Sequence, residues 1–445
     1  MTNKVDIAVI GAGAAGLFAS IFAQHESVSE RSVLAFDGAK KLGAKILIAG
    51  GGRCNVTHDV VRPDDYASGP GSSRNAVKKV LKSFTVSDTI EFFGNRGVEL
   101  KREDTGKLFP TTDRARTVLN ALLEACYEAG AELLTEHRAS AIERVEGGFS
   151  ITTSQGEYDA KRVVLSTGGK ALPKSGSDGF GYQLARSLGH SVTDTWPALV
   201  PLLLPKGHWL TELKGIAVDV ELSLAGPTGK VLHKQDGAML LTHFGLSGPA
   251  PMDISRHFGG DFPLSPGLCP GAESSGNRPR AEPGAKGAGM SLNANLLPSH
   301  TFDSLETELL EQSTAHPRRT VLQVVQAHFP DRLAMALVQH GAKLEPGLPL
   351  SQLSKDNRRA LVRTLTALPL PVTADRGYEF AEVTAGGVPL SEVNLSTMES
   401  RVCPGLHLAG EILDVDGRIG GYNFQWAWCT GRLAGLGAAK ALAQD

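Results

Sequence analysis

Apolar and polar positions change their period several times along the chain, and each change predicts an element. Val5 to Ile10 is an almost unbroken apolar run, suited to a strand buried on both faces. Gly11-Ala-Gly13-Ala14-Ala15-Gly16 follows, and then Leu17, Ile21 and Phe22 fall at helical spacing. A second short strand, "SVLAFD", ends at Asp37. Residues 75–95 and 113–129 read as helices, the second capped near Thr112–Asp113 and stopped by Gly130. Between them "GKLFPTTDRA" reads as a short loop with Pro110 and convergent polar groups. Alternation then predicts strands through "RVVLSTGG", with turns at Gly147-Gly148 and Gln155-Gly156.

From about residue 191 the pattern changes. "WPALVPLLLP", "IAVDVELSLAGPTGKVLHK" and "GAMLLTHFGLSGPAPMDIS" read as strands of an inserted β-rich domain, with a hairpin turn at Pro227-Thr-Gly229. Residues 259–290 are rich in Gly, Pro and Ser and poor in large apolar groups, so a loosely attached loop is expected. Residues 301–367 carry helical spacing and suit a helical cap. From Gly405 the pattern of the N-terminal segment returns, as a strand, an acid-bearing loop, a glycine pair and a helix. The expected organisation is α/β. It comprises a discontinuous nucleotide-binding domain (1–190 and 375–445) and an inserted β-rich and helical substrate domain (191–374).

Composition narrows the classes. Lys and Arg number 45 against 47 Asp and Glu in 445 residues, a formal charge of −2, so no long-range attraction to nucleic acid or anionic membrane is expected. Five cysteines are scattered without a Cys-x-x-Cys pair, which suits a reducing cytoplasm. No apolar run reaches the ~18 residues a transmembrane helix needs. The N-terminal apolar run opens into glycines rather than a cleavage site, so a soluble cytoplasmic chain is expected.

The glycine motif supplies candidate chemistry. Gly11 permits a tight turn, Gly13 lets backbone approach a pyrophosphate, and Gly16 allows close helix–strand packing. The helix start offers amide donors to phosphate, and Asp37 would accept hydrogen bonds from an adenosine ribose, favouring FAD or NAD over NADP. A glycine turn without ligand is the plain alternative. In "KILIAGGGRCNVTH", Gly50 to Gly52 would let backbone lie against a bulky ligand, with Lys45 or Arg53 neutralising phosphate and Cys54 and Asn55 near the redox end. A mobile glycine loop with an exposed Arg is the alternative there.

Further candidates lie downstream. Ala139 in "HRA" would clasp an adenine by backbone, and Thr167 and Gly168 close the last strand where it meets the dinucleotide again. Gly176, Gly179 and Gly181 could form a second nucleotide loop, but no strand precedes them and no acid follows at the right distance. Glu411, Asp414 and Asp416 lack metal-site spacing and make better partners for a ribityl chain; no metal is expected. Gly420-Gly421-Tyr422-Asn423 would offer amides at a helix start to negative charge on a ring.

Seven blocks in one order, "GAGAAG", "GGGRCNVTH", "FPTTDRA", "STGGKALPKSGSDGFGYQLARSLGH", "LTHFGLSGPA", "FAEVTAGGV" and "GEILDVDGRIGGYNFQWAW", span nearly the whole chain. In these the sequence resembles bacterial FAD-dependent oxidoreductases of the aminoacetone oxidase and BaiN type (YhiN-like), often described only as NAD(P)/FAD-dependent. The resemblance implies a glutathione reductase-like FAD-binding Rossmann domain with an inserted domain, and noncovalent FAD. It places pyrophosphate on Gly13, Ala14, Ala15 and Gly16, ribose on Asp37 and adenine near Ala139. The ribityl chain and flavin would meet Lys45, Gly52, Arg53, Cys54, Asn55, Gly410, Glu411, Gly421, Asn423 and Phe424. Asp37 stands where Glu is commoner, and the 259–290 insertion is unusually long.

The resemblance leaves the substrate open between amine oxidation and enone reduction. The expected activity is hydride transfer between flavin N5 and a small organic substrate, with NAD(P)H as a diffusing reductant and no dedicated nicotinamide domain. His243, Arg53 and Tyr422 are the catalytic candidates, with Arg418 nearby. His243 reads equally as a general acid or base and as a hydrogen-bonded packing residue. Cys54 would pack rather than form a flavin adduct, and Trp426 and Trp428 read as core packing, with the helix carrying Asn423 as one candidate surface. The rival readings are a flavin-dependent RNA-modifying enzyme and a non-catalytic redox sensor.

Overall fold

The computed structural model describes residues 3–24, 31–259 and 289–443. The expected loop at 259–290, and Cys269 within it, lie almost wholly outside these. The chain divides into two compact units, Met1–Ala198 with Tyr378–Asp445, and Leu199–Gly377.

In the first unit the strand Asn3–Ile10 is central because Ile7, Ala8 and Val9 leave no surface exposed on either face. It pairs in parallel with Val33–Phe36 on one side and Gly156–Leu165 on the other. Glu132–Leu134 and Leu406–Leu408 extend the parallel sheet at its two sides. Parallel pairing gathers the strand carboxyl ends along one edge, where open α/β sheets bind ligands. There the Gly11 amide donates to the Phe36 carbonyl (2.8 Å) and the Ser166 amide to that of Ile10 (2.9 Å).

The C-terminal helix Tyr422–Leu442 packs on the first helix, Ala14–Gln24. A Cβ on Gly431 would lie 2.4 Å from the Ala15 carbonyl oxygen, and one on Gly435 2.3 Å from that of Ala19. Backbone therefore meets backbone at this crossing, and only glycine fits. Trp426 and Trp428 are buried in the core as expected, on the helix that itself carries Asn423.

Three local expectations are corrected. The helix Ala115–Glu128 has Arg114 at its cap with no side-chain hydrogen bond. Asp113 adopts a left-handed conformation (φ 51), and its carboxylate goes to Lys101 and Arg53 instead of the helix amides. The segment read as a loop contains a strand, Lys107–Pro110, held between Thr57–His58 and Leu100–Arg102. In the second unit, "PAPMDIS" is the helix Pro249–Ser255, not a strand: Gly248 (φ 90) breaks the preceding strand, and proline then occupies the first turn.

That second unit carries an antiparallel sheet in the order 368–370, 291–295, 217–225, 231–241, 245–247, 202–203, 374–375. Leu222, Leu224, Leu241 and Leu292 bury one face against the helices Phe302–Ala315, Val321–Gln326, Asp331–Ala336 and Lys355–Thr366. Thr301, Thr320 and Ser354 cap three of these through their side chains. No helix among the described residues is long and apolar enough to cross a membrane.

Candidate active site

Each glycine of the first motif has a separate reason to be there. Gly11 takes φ 97 and lies against the next strand, a Cβ there falling 2.7 Å from the Ser166 carbonyl oxygen. A Cβ on Gly16 would fall 1.8 Å from the Gly11 oxygen. Gly13 differs: a Cβ there meets no protein atom within 4 Å. Packing explains the outer two glycines, and the space over the middle one is left to a ligand. Asp37 braces the same turn, its carboxylate accepting from the Ala12 amide (2.9 Å) and the Ala39 amide (2.8 Å). A carboxylate has about four acceptor positions, so capacity for a ribose hydroxyl remains. The Asp37 carbonyl also accepts from the His137 amide (2.8 Å), which brings the strand of Ala139 to this edge.

The segment Lys45 to Asn55 is helical only at its start. Ala49 turns extended, and Gly50, Gly51 and Gly52 run left-handed at φ 57, 69 and 85. A Cβ would press Gly50 against Phe109 and the Asn55 amide at about 3 Å, while Gly51 faces open space. The triplet is thus explained by backbone conformation. Cys54 behind it is fully buried at φ 60, and burial pushes its thiol up to about 12. It stays protonated at neutral pH and packs rather than attacks. Asn55 is buried, and its Oδ1 has no hydrogen-bond partner among the described residues.

Both cations expected to neutralise phosphate are already matched. Lys45 Nζ lies 2.5 Å from Glu411 Oε2, and Glu411 Oε1 accepts from the Thr384 amide (2.9 Å). Arg53 donates to Glu103 (2.6 Å), lies 3.5 Å from Asp113 and stacks over Phe109 at 4.0 Å. Both acids are distant from Arg53 in sequence, a pairing that no local motif announces. Thr384 carries no signal of its own in the sequence beyond its place in "FAEVTAGGV". Its hydroxyl accepts from the Lys170 and Ala171 amides (2.7 and 3.1 Å), joining the Gly168-Gly169 turn to Glu411.

Thr167 presents a buried hydroxyl without a partner among the described residues, and a Cβ on Gly181 would fall 1.7 Å from it. Gly181 and the helix cap Gly179 (φ 81) therefore serve packing and turning in "GSDGFGYQ". At the other end, the Gly410 amide donates to Thr430 Oγ1 (2.9 Å) and its carbonyl accepts from the Trp426 indole (3.3 Å). Gly421, at φ 93, heads the C-terminal helix with no side-chain cap; a Cβ there would lie 2.6 Å from the Thr57 carbonyl.

The Asn423 side chain is engaged by the protein itself. Its Oδ1 accepts from the Gly417 amide (2.8 Å) and its Nδ2 donates to the Gly417 carbonyl (2.9 Å), bracing the strand Val415–Gly417. Phe424 stacks on Trp428 at 5.5 Å. Tyr422 is buried, with its ring on His58 (4.8 Å) and its carbonyl accepting from the Tyr66 hydroxyl (2.9 Å). Arg418 reaches Asp65 at 3.7 Å. His243 belongs to the second unit, exposed on the tight turn between Val231–Leu241 and Gly245–Ser247 with Phe244 beside it, and so is not a buried packing histidine.

Residues 5–437 match the model of the family described as HI0933-like protein Rossmann domain. The chain belongs to this family. It is 34% identical over 444 residues to a ribosomal RNA dihydrouridine synthase of Escherichia coli (strain K12), covering 100% of this chain and 98% of that one. It is 33% identical over 435 residues to a 3-dehydro-bile acid delta(4,6)-reductase of Clostridium scindens, covering 98% and 99%. A ribosomal RNA dihydrouridine synthase of Haemophilus influenzae is 30% identical over 445 residues, covering 99% and 100%.

This HI0933-like protein is an FAD-dependent oxidoreductase with a Rossmann-type FAD-binding domain. Its residues fit the cofactor. Open space lies over Gly13, and Asn55 Oδ1 and Thr167 Oγ1 are buried without partners, although buried polar atoms in native proteins are nearly always hydrogen-bonded. The positive dipole end at the start of the C-terminal helix suits negative charge on a ring.

Proposed function

We propose that the protein reduces a carbon–carbon double bond conjugated to a carbonyl, with reduced pyridine nucleotide as a diffusing electron donor. One observation carries this reading: two relatives matched end to end bear names for the same kind of step, making dihydrouridine and reducing the delta(4,6) bonds of a 3-dehydro bile acid. In uridine the bond to be saturated is conjugated to a ring carbonyl, and the delta-4 bond stands in the same relation to a 3-ketone. Bound FAD supplies the two-electron chemistry.

The chain's own groups divide the remaining work. Gly13 and the helix start after it take the pyrophosphate, while Asn55 and Thr167 give their free polar atoms to the cofactor. The Lys45–Glu411 pair and Thr384 fix the loops around it. The uncapped start of Tyr422–Leu442 stabilises negative charge on the ring. Saturating the bond also needs a proton at the α-carbon, for which Tyr422 and Arg53 in the first unit and His243 in the second are the polar candidates. The balanced charge favours a small molecule, in a reducing cytoplasm that suits the unpaired Cys54, Cys126, Cys403 and Cys429. A uracil in RNA is the second reading, favoured by two full-length relatives of that name.

The test is anaerobic. Photoreduced holoprotein is mixed separately with a steroid enone, a simple cyclic enone, unmodified ribosomal RNA and a primary amine. Return of the oxidised flavin absorbance with an enone or with RNA, and no response to the amine, is expected. Bleaching of the oxidised protein by the amine, with enones and RNA inert towards the reduced form, contradicts the reading.

A further inference from the structure

The FAD-binding unit carries a cleft of about 390 Å³ whose lining includes none of the residues expected to contact FAD. His58, Val60, Arg62, Arg102, Asp104 and Tyr422 line it. Tyr422 follows directly on Gly421, so the cleft shares a wall with the turn that heads the C-terminal helix. We infer that this cleft docks a nucleotide, with its base on the His58 surface and its phosphate on Arg62 and Arg102. The inference rests on the proposed reduction, because a nucleotide is either that reaction's electron donor or part of an RNA substrate.

The aromatic floor is fixed before any ligand arrives. His58 stacks on Tyr422 at 4.8 Å with 20° between the planes. Its Nε2 lies 2.9 Å from the Thr105 carbonyl oxygen and its Nδ1 2.9 Å from Asp59 Oδ1. Both ring nitrogens are engaged, so the imidazole cannot swing, and a planar base meets a held ring beside the exposed Val60. Held rings of this kind bind bases by stacking, with little regard to sequence.

The charged groups sort into satisfied and available. Asp59 is occupied by His58 and by Arg102 Nε (2.5 Å). Asp65 accepts from the Arg62 amide (2.7 Å) and faces Arg418. The Arg62 guanidinium is in no ion pair among the described residues, and Arg102 engages Asp59 through Nε on a side chain that is 57% exposed, so guanidinium donors remain for a phosphate. Asp104 is the remaining acid at the rim, also without an ion pair among the described residues. A carboxylate there opposes a simple anion but accepts from ribose hydroxyls. Stacking surface, paired guanidinium groups and a ribose acceptor together describe a nucleotide better than a steroid or a free phosphate.

The experiment uses FAD-loaded full-length protein, wild type and Arg62→Glu. Arg62 is exposed and makes no side-chain ion pair among the described residues, so the variant should fold and keep its flavin content and spectrum. One arm measures NADH and NADPH affinity from the concentration dependence of anaerobic flavin bleaching. The other measures binding of a labelled single-stranded oligoribonucleotide as salt is raised. Weakening by about tenfold in one arm is expected, as for loss of one charge-assisted phosphate contact. If the source is RNA, the salt slope also falls by about one. Wild-type affinity of the variant in both arms overturns the inference, as does failure of the wild type to bind either. A cleft that fails in a protein still reducing enones leaves the proposed reaction standing. Nucleotide binding that weakens in a protein inert to enones and RNA does the reverse.

Discussion

At the scale of single residues, two glycines of one turn answer to different demands. Gly13→Ala places a methyl where no protein atom lies, so the apoprotein should keep its stability within about 0.5 kcal/mol. FAD affinity should nevertheless fall by tenfold or more, read by fluorescence titration. Gly16→Ala drives a methyl into the Gly11 carbonyl and should cost roughly 3 kcal/mol in thermal melting whether or not FAD is present. Equal loss of affinity and stability in both variants would refute the division. Lys45→Met leaves the partly buried Glu411 without its cation. A double-mutant cycle with Glu411→Gln should return a coupling of about 1 kcal/mol or more, and a value near zero would show the pair to be incidental.

At the scale of elements, the buried side chain of Gln425 ties the C-terminal helix to the strand Thr57–His58 and to the helix Val86–Gly94 with the turn before it. Its Oε1 accepts from the hydroxyls of Thr57 (2.7 Å) and Thr89 (2.9 Å), and its Nε2 donates to the Phe84 carbonyl (2.8 Å). Gln425→Leu takes away the partner of the Thr57 hydroxyl, while the Thr89 hydroxyl keeps the Thr85 carbonyl (3.1 Å) and the Phe84 carbonyl keeps the Cys429 thiol (3.1 Å), so a loss of about 1–3 kcal/mol in denaturant unfolding is expected. Which elements are readable from sequence follows from how local their causes are. The Gly11–Gly16 turn and the first two strands are legible because backbone clearance and two-sided burial act within a short stretch of chain. So are the helices of 301–367, whose threonine and serine caps lie beside them. The strand Lys107–Pro110 is not, because its pairing partners are Thr57–His58 and Leu100–Arg102 and its own composition signals only Pro110. Asn423 stands in the right motif, yet its side chain serves Gly417, a choice made by three-dimensional proximity. Arg53 reads in sequence as a free cation because Glu103 and Asp113 reach it only through the fold.

At the scale of the whole molecule, buried histidines should make stability fall in acid. In the second unit, His257 stacks on His233 at 3.7 Å. Burial, with the neighbouring His233 and Arg256 cations, pushes its pKa down to about 3. The folded state therefore prefers the neutral ring, and the unfolded chain binds the extra proton between pH ~6.5 and about 3. Stability is lost as pH falls through that window, by up to about 1.4 kcal/mol per pH unit, and His257→Phe should flatten the slope. In the first unit, burial alone would raise the Glu392 carboxyl, but hydrogen bonds from Ser191 and His190 outweigh it and hold the pKa low. Its contribution is present above the usual glutamate range and is lost only below it, but burial also lowers the pKa of His407 in the same unit, so calorimetry from pH 7 to 5 should show both units weakening. The central claim is the proposed step, the saturation of a conjugated double bond. The most direct measurement is a single anaerobic turnover of fully reduced holoprotein with one equivalent of a cyclic enone, followed by mass analysis of the organic product. Recovery of the saturated ketone in step with flavin reoxidation is predicted. Recovery of the enone unchanged, from this substrate and equally of uridine from ribosomal RNA, would contradict it.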